Sequence, residues 1–145
     1  MLIICLYSKN QKWRTDFMNH KGRFYMCEDC KSIVELVEGE NAPIECCGGK
    51  LKEIQAGKQE GSAEKHIPQV KINGNIATVM VGSVFHPMQD GHHIGWVAVY
   101  TNKGVYRKKL EIGKDPVVEF LLSDGETVSA VYAYCNEHGL WEANM

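Results

Sequence analysis

The sequence predicts an all-β protein, an immunoglobulin-like β-sandwich preceded by a small metal-stapled unit. Three observations lead there. Short runs rich in valine, isoleucine, threonine and tyrosine alternate with glycine-bearing turns through the second half of the chain, as strands of a sandwich do. No stretch carries a convincing long helical period. Four cysteines crowd into one short segment ahead of these runs, and so few residues need a staple such as a metal to hold together.

Residues 1–20 form an N-terminal extension in this reading: mixed in character, carrying Trp13 and Phe17 without periodicity ahead of a second methionine at Met18. Cys5 and His20 are incidental there. Residues 21–55 form the cysteine unit, with Cys27-Glu28-Asp29-Cys30, the apolar stretch Ile33 to Val37, and Cys46-Cys47-Gly48-Gly49. Residues 56–145 form the sandwich domain, and the polar segment from Gln55 to Ala63 reads as the linker into it. Asn73-Gly74 is a two-residue hairpin signal between Val70 to Ile72 and Ile76 to Val81. Asn102-Lys103-Gly104 separates Ile94 to Tyr100 from Val105 to Ile112. Ser123-Asp124-Gly125 separates Val117 to Leu122 from Thr127 to Tyr134.

The composition narrows the function. The chain has 145 residues, 44% hydrophobic and 23% charged, with a net charge of −2, so neither nucleic acid nor an anionic membrane is an obvious partner. An anionic substrate would have to be drawn in by local cations. No apolar run approaches a membrane-spanning helix. The opening apolar stretch has no basic region before it and no small-residue cleavage site after it, so a cytoplasmic location is expected. Cysteines in a reducing compartment read as metal ligands before disulfides.

Cys27-x-x-Cys30 has the spacing that points two sulfurs into one loop. Cys46 and Cys47 are adjacent, and neighbouring side chains of a regular strand point to opposite faces. Both reach one metal only if the backbone turns sharply, a freedom expected from Gly48-Gly49. Such a site accepts iron or zinc.

The second domain holds His66, His86, His92, His93, Cys135 and His138. Any one of these alone reads as a surface or hydrogen-bonded side chain. Along Thr127 to Cys135, the alternating set Ser129, Val131, Ala133 and Cys135 shares a face, so Cys135 falls at a strand end where a loop can fold His138 back towards the same metal. His92 and His93 open an extended run and point to opposite faces, so one of them is the ligand. Imidazoles with a thiolate suit iron, copper or zinc. More histidines than four-coordinate zinc requires favour iron.

On these residues the chain resembles the desulfoferrodoxins, two-domain superoxide reductases. The likeness runs from Phe24 to the end. It rests on Cys27-x-x-Cys30 with Cys46-Cys47, on Glu64-Lys65-His66, on His86-Pro87-Met88 with a histidine six residues later, and on Cys135-x-x-His138-Gly139 followed by Trp141. The resemblance implies a catalytic iron with equatorial imidazoles from His66, His86, His92 and His138 and an axial thiolate from Cys135. Family spacing selects His92 over His93. It also implies a rubredoxin-like iron on Cys27, Cys30, Cys46 and Cys47 in a desulforedoxin-like domain, hence two iron ions per chain, with zinc as the alternative at the tetrathiolate site. The implied reaction is one-electron reduction of superoxide to hydrogen peroxide. Lys65 would attract the anion, Glu64 would be the carboxylate able to close the open position, and a rubredoxin-like carrier would return the electron. A homodimer is implied as well. Two alternatives stand beside this: a non-catalytic rubredoxin-like electron-transfer protein, and a zinc-stabilised interaction module.

Overall fold

The computed structural model describes residues 21–39, 43–58 and 61–145. The N-terminal extension over 1–20, with Cys5, His20 and Met18, lies outside them. In chain order the described elements are β1 (Phe24–Met26), β2 (Ile33–Glu35), β3 (Glu45–Cys46), β4 (Gly49–Lys50), β5 (Lys52–Ile54), α1 (Ala63–His66), β6 (Pro68–Asn73), β7 (Ile76–Val81), β8 (Ile94–Thr101), β9 (Val105–Lys109), β10 (Val117–Leu121), β11 (Val128–Cys135) and β12 (Gly139–Asn144). None of the described helices is long and apolar enough to cross a membrane.

Two antiparallel sheets form the sandwich, one ordered β10-β7-β6 and the other β12-β11-β8-β9. The first hairpin closes with Asn73 opposite Ile76, so its two loop residues are Gly74 and Asn75, one place beyond the Asn73-Gly74 pair read from the sequence. Gly74 supplies the positive φ of 57° that the turn needs. The connection through Ser123-Asp124-Gly125 carries the chain from one sheet to the other. Between the sheets, alternate residues meet: Ala77, Val79 and Val81 from β7, Phe120 from β10, Ile94, Val97 and Val99 from β8, and Val131, Ala133 and Cys135 from β11. Ser129, expected on that face, sits instead where the β11–β8 register slips between Val128 and Ala130, and its hydroxyl donates to the Tyr100 carbonyl at 3.1 Å.

The small unit is a three-stranded sheet, β2-β1-β5, with the β3–β4 hairpin beside it. It covers the outer face of the four-stranded sheet. Phe24 is buried there with Ala98, Tyr100, Ala130, Tyr132 and Leu140. Burial on both faces explains why β8 reads as an unbroken apolar run rather than an alternating one. Glu35 of β2 accepts hydrogen bonds from the Tyr100 hydroxyl and from Arg107, and the Arg107 guanidinium lies 5.3 Å from the Trp96 ring centroid and 5.8 Å from that of Phe24. The two parts are thus joined by an apolar contact edged with a charged latch.

The segment read as linker is followed at once by α1, a single turn closed by Ile67 N–H donating to the Ala63 carbonyl at 2.9 Å. That turn aims His66 inward, where it is buried, and leaves Glu64 and Lys65 exposed.

Candidate metal centres

Five donor side chains from separate stretches converge at one end of the sandwich. His66 ends α1, His86 lies between β7 and β8, His92 just precedes β8, Cys135 ends β11, and His138 sits in the β11–β12 turn. Antiparallel pairing brings them to the same end. Pro68 stands opposite Val81, and Cys135 stands opposite both Ile94 and Gly139. His93 is not part of the group: its N–H donates to the Asn136 side chain at 2.8 Å, and its ring lies 3.2 Å from the Gln89 carbonyl.

The nitrogens that meet are Nε2 of His66, His86 and His92 and Nδ1 of His138. Separations are 3.1 Å for His66–His86, His66–His138 and His92–His138, and neighbouring rings stand at 67° to 81° to one another. A square of that edge has its centre about 2.2 Å from each corner, close to the about 2.0–2.1 Å of an imidazole–metal bond. His66 Nδ1 faces the Ser62 carbonyl at 2.7 Å and His86 Nδ1 faces the Pro87 carbonyl at 2.6 Å. A carbonyl only accepts, so each Nδ1 carries the hydrogen and each Nε2 turns a lone pair to the centre. Converging lone pairs repel unless a cation lies between them. The donor set therefore fits a metal. Burial also keeps these rings unprotonated: it lowers the His66 pKa and brings that of His86 down to about 4.

Cys135 is fully buried, with its sulfur 3.7 Å from His138 Nδ1. Burial raises its pKa, opposed by backbone N–H groups of His138, at 3.4 Å, and Glu137. A metal that binds the thiolate releases this proton. The C-x-x-H spacing brings His138 back so closely that it offers its near nitrogen, Nδ1.

Lys65 and Glu64 lie on α1 beside this group. The Glu64 carbonyl accepts from Ser83 N–H at 2.7 Å and from Val84 N–H at 3.3 Å, stitching α1 to the turn that leads into His86. Gly82 permits the approach: its φ is +85°, and a Cβ there would lie 2.6 Å from the Lys65 carbonyl oxygen and 2.3 Å from that of Val84.

The second group is Cys27, Cys30, Cys46 and Cys47. Sulfur separations are 3.5 Å for Cys30–Cys46 and 3.8 Å for Cys46–Cys47, far beyond a disulfide. They match the edge of about 3.8 Å in a tetrahedron with metal–sulfur bonds of about 2.3 Å. The sharp turn expected of Gly48-Gly49 is made one residue earlier: Cys47 has a φ of 52° and Gly48 of 77°, while Gly49 is already in β4, paired with Cys46. Hydrogen bonds from Ser32 bring the Cys30 pKa down to about 6, and the bond with Cys30 raises that of Cys46 to about 12.

Asn136 and Trp141 have roles that the sequence alone does not reveal. Asn136 ties the loop after Cys135 to the one carrying His92, through its backbone N–H to the His93 carbonyl at 3.1 Å and its side-chain amide to the Gly91 carbonyl at 2.9 Å. Its place between Cys135 and His138 was the available signal. Trp141 stacks on His66.

Fold and donors together define a non-haem metalloprotein with two centres, one of four imidazoles and a thiolate on a β-sandwich, the other of four thiolates. A family model described as desulfoferrodoxin matches residues 58–144. The chain is 40% identical over 119 residues to a desulfoferrodoxin homolog of Archaeoglobus fulgidus, covering 82% of this chain and 94% of that one. It is 35% identical over 126 residues to a desulfoferrodoxin of Nitratidesulfovibrio vulgaris, covering 87% and 98%. The crystal structure of the superoxide reductase from Treponema pallidum superposes with a TM-score of 0.73 at 31% identity, over 86% of this chain and all of that one. This chain belongs to the desulfoferrodoxin family. It is an oxidoreductase whose two donor sets suit iron, zinc being the alternative at the four cysteines.

Proposed function

We propose that the chain is a superoxide reductase acting at the four-histidine, one-cysteine centre. The observation that carries this is the ring of imidazole nitrogens with 3.1 Å edges beside a buried cysteine, in a chain similar to a superoxide reductase over 86% of its length. The reaction takes one superoxide, one electron and two protons to hydrogen peroxide, and releases no oxygen. His66, His86, His92, His138 and Cys135 would hold the iron, which when bound would supply the electron.

The chain's own residues prepare that step. Neutral imidazoles leave the Cys135 thiolate as the only anionic ligand, and its electron density favours giving up the electron, as thiolate ligation does in haem sites. Burial of Cys135 and His86 keeps water from the inner side. Lys65 draws superoxide to the outer side against the net negative charge of the whole chain, and Glu64, exposed beside it on α1, would offer a carboxylate to the bound metal. An outside carrier, rubredoxin-like in chemistry, returns one electron per cycle. The tetrathiolate unit is assigned to 21–55 and the catalytic domain to 56–145. A homodimer in the reducing cytoplasm completes the proposal.

Metal analysis with visible absorption tests it. Anaerobically purified protein should hold two irons per chain, show a ferric tetrathiolate spectrum, and gain a thiolate-to-iron band on mild oxidation. A colourless protein with one zinc and no such band would leave the interaction-module reading instead. Lys65→Ala should slow the superoxide reaction at low ionic strength with iron content unchanged; an unaltered rate would remove Lys65 from the mechanism.

A further inference from the structure

We infer that Trp141 is a positioning residue of the catalytic cage, holding His66 and His138 together, and that Gly61 seats it. The inference rests on these histidines being metal ligands and needs nothing about the substrate. Trp141 lies in β12 opposite Ala133, 5% exposed. Its ring stacks on that of His66, with centroids 4.7 Å apart and planes 23° apart. Its Nε1–H donates to the His138 carbonyl at 3.0 Å. One side chain thus touches two ligands that lie 72 residues apart in sequence.

The two contacts restrain different things. The bond from Nδ1 to the Ser62 carbonyl fixes one point of the His66 ring, and a ring pinned at one point still tilts. A flat indole against its face removes that tilt. The indole N–H pins the backbone of His138, whose Nδ1 stands 3.1 Å from His66 Nε2 along one edge of the ring of nitrogens. The stack also discriminates between free and bound states. A metal-bound imidazole is electron-poor, and an electron-rich indole attracts it more strongly than it attracts the free base.

Gly61 presses on the same group from the linker side. A Cβ at this position would lie 3.1 Å from Trp141 Cζ2 and 3.3 Å from Cβ and Cγ of His138, and its φ is +153°. Upstream, Gly57 N–H donates to the Leu140 carbonyl at 2.8 Å. Gly57 thus meets β12 at Leu140, and Gly61 lies at the indole of Trp141.

The test uses the full chain with three substitutions. Trp141→Leu removes ring and N–H, Trp141→Phe keeps a ring to stack but no N–H, and Gly61→Ala sets a methyl against the indole and the His138 side chain while keeping all five donors. Cobalt(II) affinity of the five-donor site is read by competition titration. The thiolate-to-iron band and ferric electron paramagnetic resonance are read on the iron form, with tetrathiolate absorption reporting folding. Trp141→Leu should bind cobalt(II) about 10- to 100-fold more weakly, the range for losing a partner of a ligand. Trp141→Phe should lose less than tenfold, and Gly61→Ala should move the band in the same direction as Trp141→Leu. Should Trp141→Leu fail to fold, Trp141→Phe and Gly61→Ala decide by the same signals. Variants with affinity within twofold of the parent and superimposable spectra would overturn the inference. So would equal losses in Trp141→Leu and Trp141→Phe, since stacking would then contribute nothing. A parent protein that does not reduce superoxide would end the functional proposal and leave this one standing.

Discussion

Replacing Glu126 by glutamine tests how the end of the sandwich remote from the metal cage is tied together. Glu126 is 9% exposed. One oxygen accepts from the Thr101 hydroxyl. The other accepts from the Tyr106 hydroxyl at 2.8 Å, from Ser123 N–H at 2.9 Å and from the Ser123 hydroxyl at 2.8 Å. These bonds join the β8–β9 turn to the crossing between the sheets. Burial alone would raise the carboxyl pKa; the bonds from Thr101, Ser123 and Tyr106 outweigh it and bring the value from 4.5 down to about 2. At about 1.4 kcal/mol per pH unit, the ionised form contributes about 3 kcal/mol.

The folded pKa lies below the unfolded one. The contribution is therefore complete above pH 4.5 and is lost as the pH falls towards 2, with about 1.4 kcal/mol left at pH 3. Glu126→Gln keeps the shape and turns an amide NH2 towards donors. Urea unfolding followed by circular dichroism should place the variant about 3 kcal/mol below the parent at pH 7, and the gap should roughly halve at pH 3. Acid also releases metal, but it does so in both proteins, so the difference between them isolates Glu126. An equal gap at both pH values would show that its charge is not the source. No gap at pH 7 would refute the network's contribution altogether.

Other substitutions probe the remaining joints. Glu35→Gln weakens the latch to Tyr100 and Arg107 and should cost about 1–2 kcal/mol, read as faster amide exchange in β1 and β2 with the sandwich core unchanged. Cys46→Ser should remove the tetrathiolate metal and leave the five-donor metal in place, so metal content falls from two per chain to one. Gly82→Ala should destabilise by more than 1 kcal/mol, because its φ and its contact with the Lys65 carbonyl both oppose a Cβ; thermal unfolding measures this.

Local chemistry made much of the fold legible. The β-rich runs from Ile76 and from Val117 end within a residue of β7 and β10, since β-branched residues bounded by turn residues leave few other conformations. Several features were not legible because they depend on distant partners. β12 has no strand composition of its own and exists because β11 pairs with it. α1 is a single turn held by its contact with the loop at Ser83, and a one-turn helix has no period to read. The turn at Cys47 differs from the expected one because the hairpin register, Cys46 opposite Gly49, left Cys47 and Gly48 as its loop. At the site, the residues alone left His92 and His93 undecided, and the family resemblance pointed to the five donors that the structure brings together. Which nitrogen each histidine presents, and the stack of Trp141 on His66, depend on packing that no spacing reveals.

Product stoichiometry separates reduction of superoxide from its dismutation. Reduced protein is mixed with a known pulse of superoxide under anaerobic conditions, and hydrogen peroxide and oxygen are measured together. A superoxide reductase should give one hydrogen peroxide per superoxide consumed, no oxygen, and one electron lost from the five-donor centre. Half a peroxide per superoxide with oxygen released would mean dismutation and would contradict it.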